Sequence, residues 1–228
     1  DVIKIEKPDG GDDTRRMGPP FIGGESAAFL VTNRNKRSIV VDLKREEGAQ
    51  VFHRMVKDAD VLVQNLSPGS LDRLGLGYDD LKEVNSALIY CTISGFGATG
   101  PYKHRRGFDL VTQGMSGLMS ITGLPDTPPL KISVPVTDLN AGMYGAYGVL
   151  CAYINRLKTG QGQHVDKSQW ITGVALNGPV FLDIQVNGRT TIREGYPPGN
   201  RAHWPGTPLV NNYRGRTMAP HNSYRPSP

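Results

Sequence analysis

Cysteine, tryptophan and long apolar runs are scarce in this sequence of 228 residues. It has two cysteines and two tryptophans, too few cysteines for a disulfide-stapled scaffold. Cys91 and Cys151 stand far apart in apolar segments, so we expect two reduced, buried thiols and an intracellular protein, mitochondrial or cytoplasmic. No run approaches the roughly 20 apolar residues of a membrane span, and the amino-terminal residues do not form a secretory signal.

Acidic residues are absent from residues 201–228. This segment holds five of the 17 prolines and four arginines, which account for four of the five net positive charges of the chain. The basic balance therefore belongs mostly to the tail and does not indicate a nucleic-acid-binding face. We predict a folded domain over residues 1–200 and an irregular, basic, proline-rich tail over 201–228.

Strand patterns alternate with helical patterns along most of the chain. This order is typical of an α/β fold, here a Rossmann-like parallel sheet with flanking helices. The predicted strands are Val2–Glu6, Ser38–Leu43, Asp60–Val63, Ala87–Ile93 and His164–Lys167. The predicted helices are Glu46–Lys57, Pro68–Leu74, Asp79–Val84, Phe108–Ile121, Thr137–Leu157 and Gln169–Gln185.

Several common functional motifs are missing or incomplete. The segment Gly95–Gly100 fits G-x-G-x-x-G, but Pro101 and a polar run follow it where a dinucleotide-binding fold needs an apolar helix. The histidines have no metal-ligand spacing with Cys, Asp or Glu, and no G-x-S-x-G or P-loop occurs. The basic run Lys103–Arg106 is either a solvated charge cluster or a phosphate-binding one.

Asp138 is the residue with the strongest catalytic potential. It stands where an apolar helix is predicted to begin, a position typical of a helix-capping aspartate. The same position suits a nucleophilic carboxylate, because backbone N–H groups and the helix dipole would keep the side chain ionised. Local sequence alone leaves both roles open.

An ordered series of short motifs along the chain is more specific than any single residue. It comprises Ile3–Glu6 with Gly10–Asp12, Asn33–Ile39, Asn65 with Pro68–Gly69 and Leu74–Tyr78, Ser94–Gly97 with Gly100–Tyr102, Gly107–Asp109, Thr137–Asp138 and Lys158–Gln163. Over residues 1 to about 200 this series resembles the class III CoA-transferase family of the CaiB/BaiF type. It is similar to the branch that includes succinate–hydroxymethylglutarate CoA-transferase.

The resemblance implies that Asp138 is the nucleophile. An enzyme of this kind moves CoA from an acyl-CoA, such as succinyl-CoA, to a carboxylic acid through an aspartyl-CoA thioester. No metal or permanently bound cofactor is implied; coenzyme A enters as part of the substrate. The resemblance also implies a homodimer and contacts to CoA from five side chains: Lys7, Lys44, Asn65, Arg73 and Arg106.

Two alternatives stay open. The same superfamily contains α-methylacyl-CoA racemases, which use a His–Asp pair, but the histidine position is occupied here by Phe108, which cannot transfer a proton. The chain could also be a non-catalytic CoA-binding protein derived from the enzyme.

Relatives extend further than this chain at both ends, and part of the CoA site and of the dimer comes from those extensions. We therefore expect the 228-residue chain by itself to be inactive or badly impaired. The measurement is turnover of succinyl-CoA with a carboxylate acceptor by the isolated chain. Robust turnover would contradict the expectation.

Overall fold

A computed structural model of the chain describes residues 1–124 and 127–188. The strands in these residues are β1 Val2–Glu6, β2 Phe21–Ile22, β3 Glu25–Ser26, β4 Lys36–Val40, β5 Val61–Gln64, β6 Ile89–Ser94 and β7 His164–Ser168. The helices are α1 Ala27–Thr32, α2 Glu46–Lys57, α3 Tyr78–Val84, α4 Asp109–Met115, α5 Val136–Thr159, α6 Gln169–Leu176 and α7 Gly178–Asn187. Residues 201–228, predicted to be an irregular tail, lie outside the described residues.

The strands form three sheets. β1 pairs with β4 in parallel, from Val2 opposite Lys36 to Glu6 opposite Val40. β5, β6 and β7 form a second sheet in that order, with β5 and β6 parallel. The prediction of an α/β fold with parallel strands and flanking helices is confirmed. The short antiparallel pair β2–β3 lies in a segment for which the sequence predicts no strand.

The chain forms two compact units. The first contains Asp1–Thr92 and Gly145–Asp166, and the second contains Ile93–Tyr144 together with the described residues that follow Asp166. The boundaries fall inside β6, α5 and β7, so these three elements contribute residues to both units.

Apolar packing, mostly aliphatic, forms the core of the first unit. Helix α2 contributes Phe52 and Val56, and Leu76, Leu81 and Leu88 are almost completely removed from solvent. Burying a leucine side chain of this kind stabilises the fold by about 1.5–3 kcal/mol. The amphipathic spacing of α2 therefore has a clear physical cause, and its observed bounds are those predicted from the sequence.

Three of the predicted helices are shortened or divided in the structure. The segment Pro68–Leu74 is helical only at Asp72–Leu74, as a 3₁₀ turn, since Gly69 has a positive φ of 71°. Gly117, with φ 86°, ends the predicted helix Phe108–Ile121 at α4 and leaves a 3₁₀ turn after it. The predicted helix Gln169–Gln185 is divided into α6 and α7 at Asn177.

The expectation of two buried thiols is correct for Cys91 and wrong for Cys151. Cys91 is buried in β6, and burial together with the charge of Asp166 raises the pKa of its thiol. Cys151 lies on the exposed side of α5. The apolar sequence around Cys151 reflects an exposed apolar helix face and not a buried one.

A buried carboxylate ties the strand β1 to the segment that follows it. Glu6 accepts hydrogen bonds from Arg15 Nε and Nη2, both at 2.8 Å, from the Asp12 backbone N–H at 2.9 Å and from Ser38 Oγ at 2.7 Å. The Arg15 guanidinium holds the pKa of Glu6 well below its ordinary value, although burial opposes this. Ionised Glu6 therefore stabilises the folded state above the ordinary glutamate pKa, and this contribution is lost as the pH falls.

We expect Glu6→Gln to lower the free energy of unfolding at neutral pH by about 2 kcal/mol, because an amide cannot accept all four hydrogen bonds. Urea unfolding followed by circular dichroism measures the change. The variant should also lose the part of the acid sensitivity that comes from Glu6. Glu25→Gln is the matched control, because Glu25 is 49% exposed and meets Arg15 at 3.5 Å. An equal loss in both variants would contradict this account.

Candidate active site

Asp138 lies in the first turn of α5, three residues into the helix. The Leu139 N–H donates to the Pro135 carbonyl at 3.0 Å, so the helix begins at Val136 and Asp138 is inside it. Asp138 is an exposed residue. The interpretation of Asp138 as a helix cap is therefore wrong, and the capping group is a different aspartate.

Asp109 caps the start of α5 from another helix. One of its carboxyl oxygens, Oδ1, accepts from the Thr137 backbone N–H at 2.9 Å and from Thr137 Oγ1 at 2.7 Å. Asp109 is the first residue of α4, so a single carboxylate joins the beginnings of two helices. A carboxylate at a helix amino terminus satisfies a backbone donor that the helix itself cannot satisfy. The residue next to Asp138 is thereby fixed in place.

The loop before α5 is held by the same helix α4. Gln113 accepts from the Ile132 N–H at 2.8 Å, and its amide group donates to Asp109 Oδ2 at 2.6 Å. Gln113 and Thr137 are completely buried. Both sides of Asp138, the loop and the helix start, are thus attached to a polar core in the second unit.

Two glycines let the two ends of the loop between β6 and α4 pack closely against each other. A Cβ atom placed on Gly95 would collide with the backbone of Gly107, and the reverse is also true. The Gly95 carbonyl accepts from the Trp170 N–H at 3.0 Å. No helix follows Gly95–Gly100 directly, because residues 101–108 are turns and loop before α4 begins. The glycines serve close packing, and the geometry is not that of a dinucleotide fingerprint.

Gln169, the first residue of α6, contacts Asp138 directly. Its side-chain Nε2 donates a hydrogen bond to Asp138 Oδ1. The preceding residue, Ser168, caps α6 by accepting from the Ile171 N–H at 3.1 Å, which fixes the backbone of Gln169. Sequence reasoning identified Gln169 only as a helix start. The available signal was its position directly after a strand and a capping serine.

The electrostatics of Asp138 differ from the sequence expectation. Partial burial of its carboxyl group and the negative charge of Asp109 raise the pKa of Asp138, and the Gln169 hydrogen bond opposes this rise. The expectation was that the helix start would favour the ionised form. The direction is opposite because partial burial disfavours the charged form, and because the Asp109 carboxylate in the capping position brings a like charge close to Asp138.

Four of the five residues with implied CoA contacts lie in the first unit, and all four are exposed. Lys7 directly follows β1 and pairs with Asp13 at 2.7 Å, and Lys44 follows β4, the parallel neighbour of β1. Asn65 directly follows β5, and Arg73 donates to Ser70 Oγ at 3.3 Å. Lys7 and Lys44 therefore both follow the carboxyl ends of two paired parallel strands, the end of the sheet at which α/β proteins commonly bind ligands.

The fifth residue, Arg106, lies in the second unit with Asp138. It is exposed and precedes Gly107, which contacts the Gln169 side chain. All of Lys103–Arg106 is exposed, and Arg105 lies over the Tyr102 ring at 4.5 Å. This exposure is compatible with both the solvated and the phosphate-binding interpretation of the basic run.

Neither a metal cluster nor a membrane-spanning helix is found in residues 1–124 and 127–188. No three His, Cys, Asp or Glu side chains in these ranges are placed to share an ion. None of the helices there combines the length and the apolar character needed to cross a bilayer.

Comparison with known proteins identifies the family. The family model described as CoA-transferase family III matches residues 1–217. This chain belongs to CoA-transferase family III. A crystal structure of a CAIB/BAIF family protein from Brucella suis aligns with a TM-score of 0.83 and 44% identity, covering 86% of this chain and 53% of that one.

Curated relatives of this family III chain include named enzymes. A succinate–glutarate CoA-transferase from Agrobacterium fabrum is 43% identical over 219 residues, 93% of this chain and 55% of the relative. The human succinyl-CoA:glutarate CoA-transferase is 44% identical over 200 residues, 88% of this chain and 46% of the relative. The chain spans about half the length of the curated relatives it matches.

We expect Asp109→Asn to lower the pKa of Asp138, because the substitution removes the nearby negative charge while an amide oxygen can still accept from Thr137. Carboxyl ¹³C NMR titration of Asp138 measures the change. Asp79→Asn, at an exposed position of α3, is the control and should leave the titration where it is. An unaltered Asp138 titration in Asp109→Asn would contradict the electrostatic account.

Proposed function

We propose that this chain carries the nucleophile of a CoA-transferase that moves CoA from succinyl-CoA, or a similar acyl-CoA, to a carboxylic acid through an Asp138 thioester. One observation carries the proposal. Asp138 is exposed on a firmly anchored helix start, and none of the ion pairs among the described residues neutralises it. A positioned carboxylate without a cationic partner retains the electron density that attack on a thioester requires.

The proposed reaction transfers CoA from the donor to the acceptor through covalent intermediates on the Asp138 carboxylate. An Asp138 oxygen attacks the thioester carbonyl, giving a mixed anhydride and CoA thiolate. The thiolate attacks the Asp138 carbonyl carbon, which releases the donor acid and leaves an aspartyl-CoA thioester. The acceptor carboxylate then attacks the same carbon, and the liberated thiolate takes the acceptor acyl group. Each step is a nucleophilic substitution, and Asp138 is regenerated at the end.

The names of the relatives support a short dicarboxylic substrate. The Agrobacterium and human relatives are named for succinate or succinyl-CoA and glutarate, and an Acetobacter aceti relative, 41% identical, is named for acetyl-CoA and oxalate. We propose succinyl-CoA as the donor and a small dicarboxylate as the acceptor. Lys7, Lys44, Asn65, Arg73 and Arg106 are the proposed CoA contacts, the basic ones being suited to phosphate groups.

A homodimer is the proposed working form. Along α5, five apolar side chains recur at helical spacing, and each is more than half exposed: Leu139, Met143, Leu150, Ile154 and Leu157. An apolar stripe of this length on one helix is typical of a surface that another protein segment covers.

Racemase chemistry has less support. Phe108, at the position where the racemases have histidine, is 66% exposed and directly precedes Asp109. Asp109 itself is engaged by Thr137 and Gln113. The pair that would remove and return an α-proton therefore lacks its base.

Prolonged incubation of the chain with excess succinyl-CoA should produce a covalent CoA adduct at Asp138 that hydroxylamine cleaves. The adduct needs only the donor and one reaction per chain, so it can accumulate even where repeated turnover is badly impaired. Intact-protein and peptide mass spectrometry measure the adduct. Asp138→Asn should abolish it, since an amide is not a competent nucleophile.

Asp58→Asn, at an exposed residue after α2, should form the adduct normally. Binding of CoA without any adduct would favour the non-catalytic alternative. Catalytic exchange of the α-proton of a chiral 2-methylacyl-CoA would favour the racemase.

A further inference from the structure

The strongest unassigned feature of the second unit is the side-chain amide of Gln169. Its backbone is fixed at the start of α6, because Ser168 caps this helix and the Trp170 N–H is bonded to the Gly95 carbonyl. Neither of these interactions requires a glutamine at position 169. The choice of side chain therefore needs its own explanation.

The orientation of the amide follows from its two ends. An ionised carboxylate only accepts hydrogen bonds, so the NH₂ group is the end that faces Asp138 Oδ1. The other end, Oε1, is buried and finds no donor among the described residues. It lies against Gly107, where an added Cβ would come within 2.7 Å of Oε1.

A buried amide oxygen without a donor destabilises the folded state, and native proteins rarely retain one. Leucine or methionine would fill similar space without that cost. The arrangement is therefore explained by the other end of the amide, which keeps an N–H donor on a carboxyl oxygen of Asp138. Gly107 supports it by leaving room for the buried oxygen.

We propose that Gln169 is a catalytic hydrogen-bond donor to Asp138, acting on the carboxyl oxygen that does not form the bond to the incoming acyl group. The inference rests on the proposed function of Asp138. With Oδ1 held by Gln169, Oδ2 is the atom that attacks the thioester and later departs with the donor acid. Oδ1 remains on the aspartyl carbon throughout.

The chemical benefit arises when thiolate attacks the Asp138 carbonyl carbon. The double bond between Cγ and Oδ1 becomes a single bond, and Oδ1 carries the negative charge of the tetrahedral intermediate. When the Cγ–Oδ2 bond breaks, the double bond to Oδ1 forms again and the negative charge leaves on the donor acid. A preplaced N–H donor stabilises charge that develops at such an oxygen. The same donor serves again when the acceptor carboxylate attacks the aspartyl-CoA thioester.

Two measurements on Gln169→Leu test the proposal. The first is the ¹³C NMR titration of Asp138, which does not depend on any reaction; the pKa of Asp138 should rise because the carboxylate loses its donor. The second is the rate of formation of the Asp138–CoA adduct from succinyl-CoA, which should fall about 100-fold, as for loss of one oxyanion donor. Gln169→His, which retains a ring N–H donor, should recover part of the rate.

Gln185→Leu is the matched control, at an exposed position of α7, and should behave as the unaltered chain in both measurements. If the pKa of Asp138 in Gln169→Leu equals that in the unaltered chain, the proposed hydrogen bond is wrong. If the pKa of Asp138 rises but the rate of adduct formation does not fall, the hydrogen bond is correct and the catalytic role of Gln169 is wrong. If the unaltered chain forms no adduct, the proposed function of Asp138 fails and the catalytic role of Gln169 fails with it, while the titration still reports on the contact.

Discussion

The carboxylate of Asp109 is the constraint on which the second unit depends. It accepts from the backbone and side chain of Thr137 and from the Gln113 amide, so it joins α4, the start of α5 and the preceding loop. Buried hydrogen-bonded networks of this kind specify one arrangement, because each lost partner leaves an unsatisfied group. The geometry of Asp138 is a consequence, since it is the residue after Thr137. The same anchor brings a negative charge close to Asp138, which adds to the effect of partial burial in raising the pKa of Asp138.

Elements with a strong local pattern could be predicted from sequence. Alternation gave the bounds of β1, and amphipathic spacing gave those of α2, because each has one face against the aliphatic core. The helix breaks at Gly69 and Gly117 could not be located in the same way. Glycine is tolerated inside helices as well as at their ends, and only the folded backbone shows which φ it adopts.

The sequence could predict the candidate nucleophile of the site, but it could not predict the residues that hold this nucleophile in place. Asp138 could be singled out by its place in a motif series, but local sequence could not separate a capping aspartate from one inside the helix. Asp109 and Gln169 reach the site from α4 and α6, and the sequence separations from Thr137 and Asp138 are 28 and 31 residues. Contacts of that range are set by tertiary packing, and spacing along the chain has no signal for them.

The unequal exposure of the two cysteines has a practical consequence. Cys91 is buried in β6 with a raised thiol pKa, and Cys151 is exposed on α5. The sequence contains no other thiol. A maleimide fluorophore or spin label would therefore react at one position on the native chain without any engineered substitution. The helix that carries Asp138 thus has a natural attachment point for distance measurements between copies of the chain.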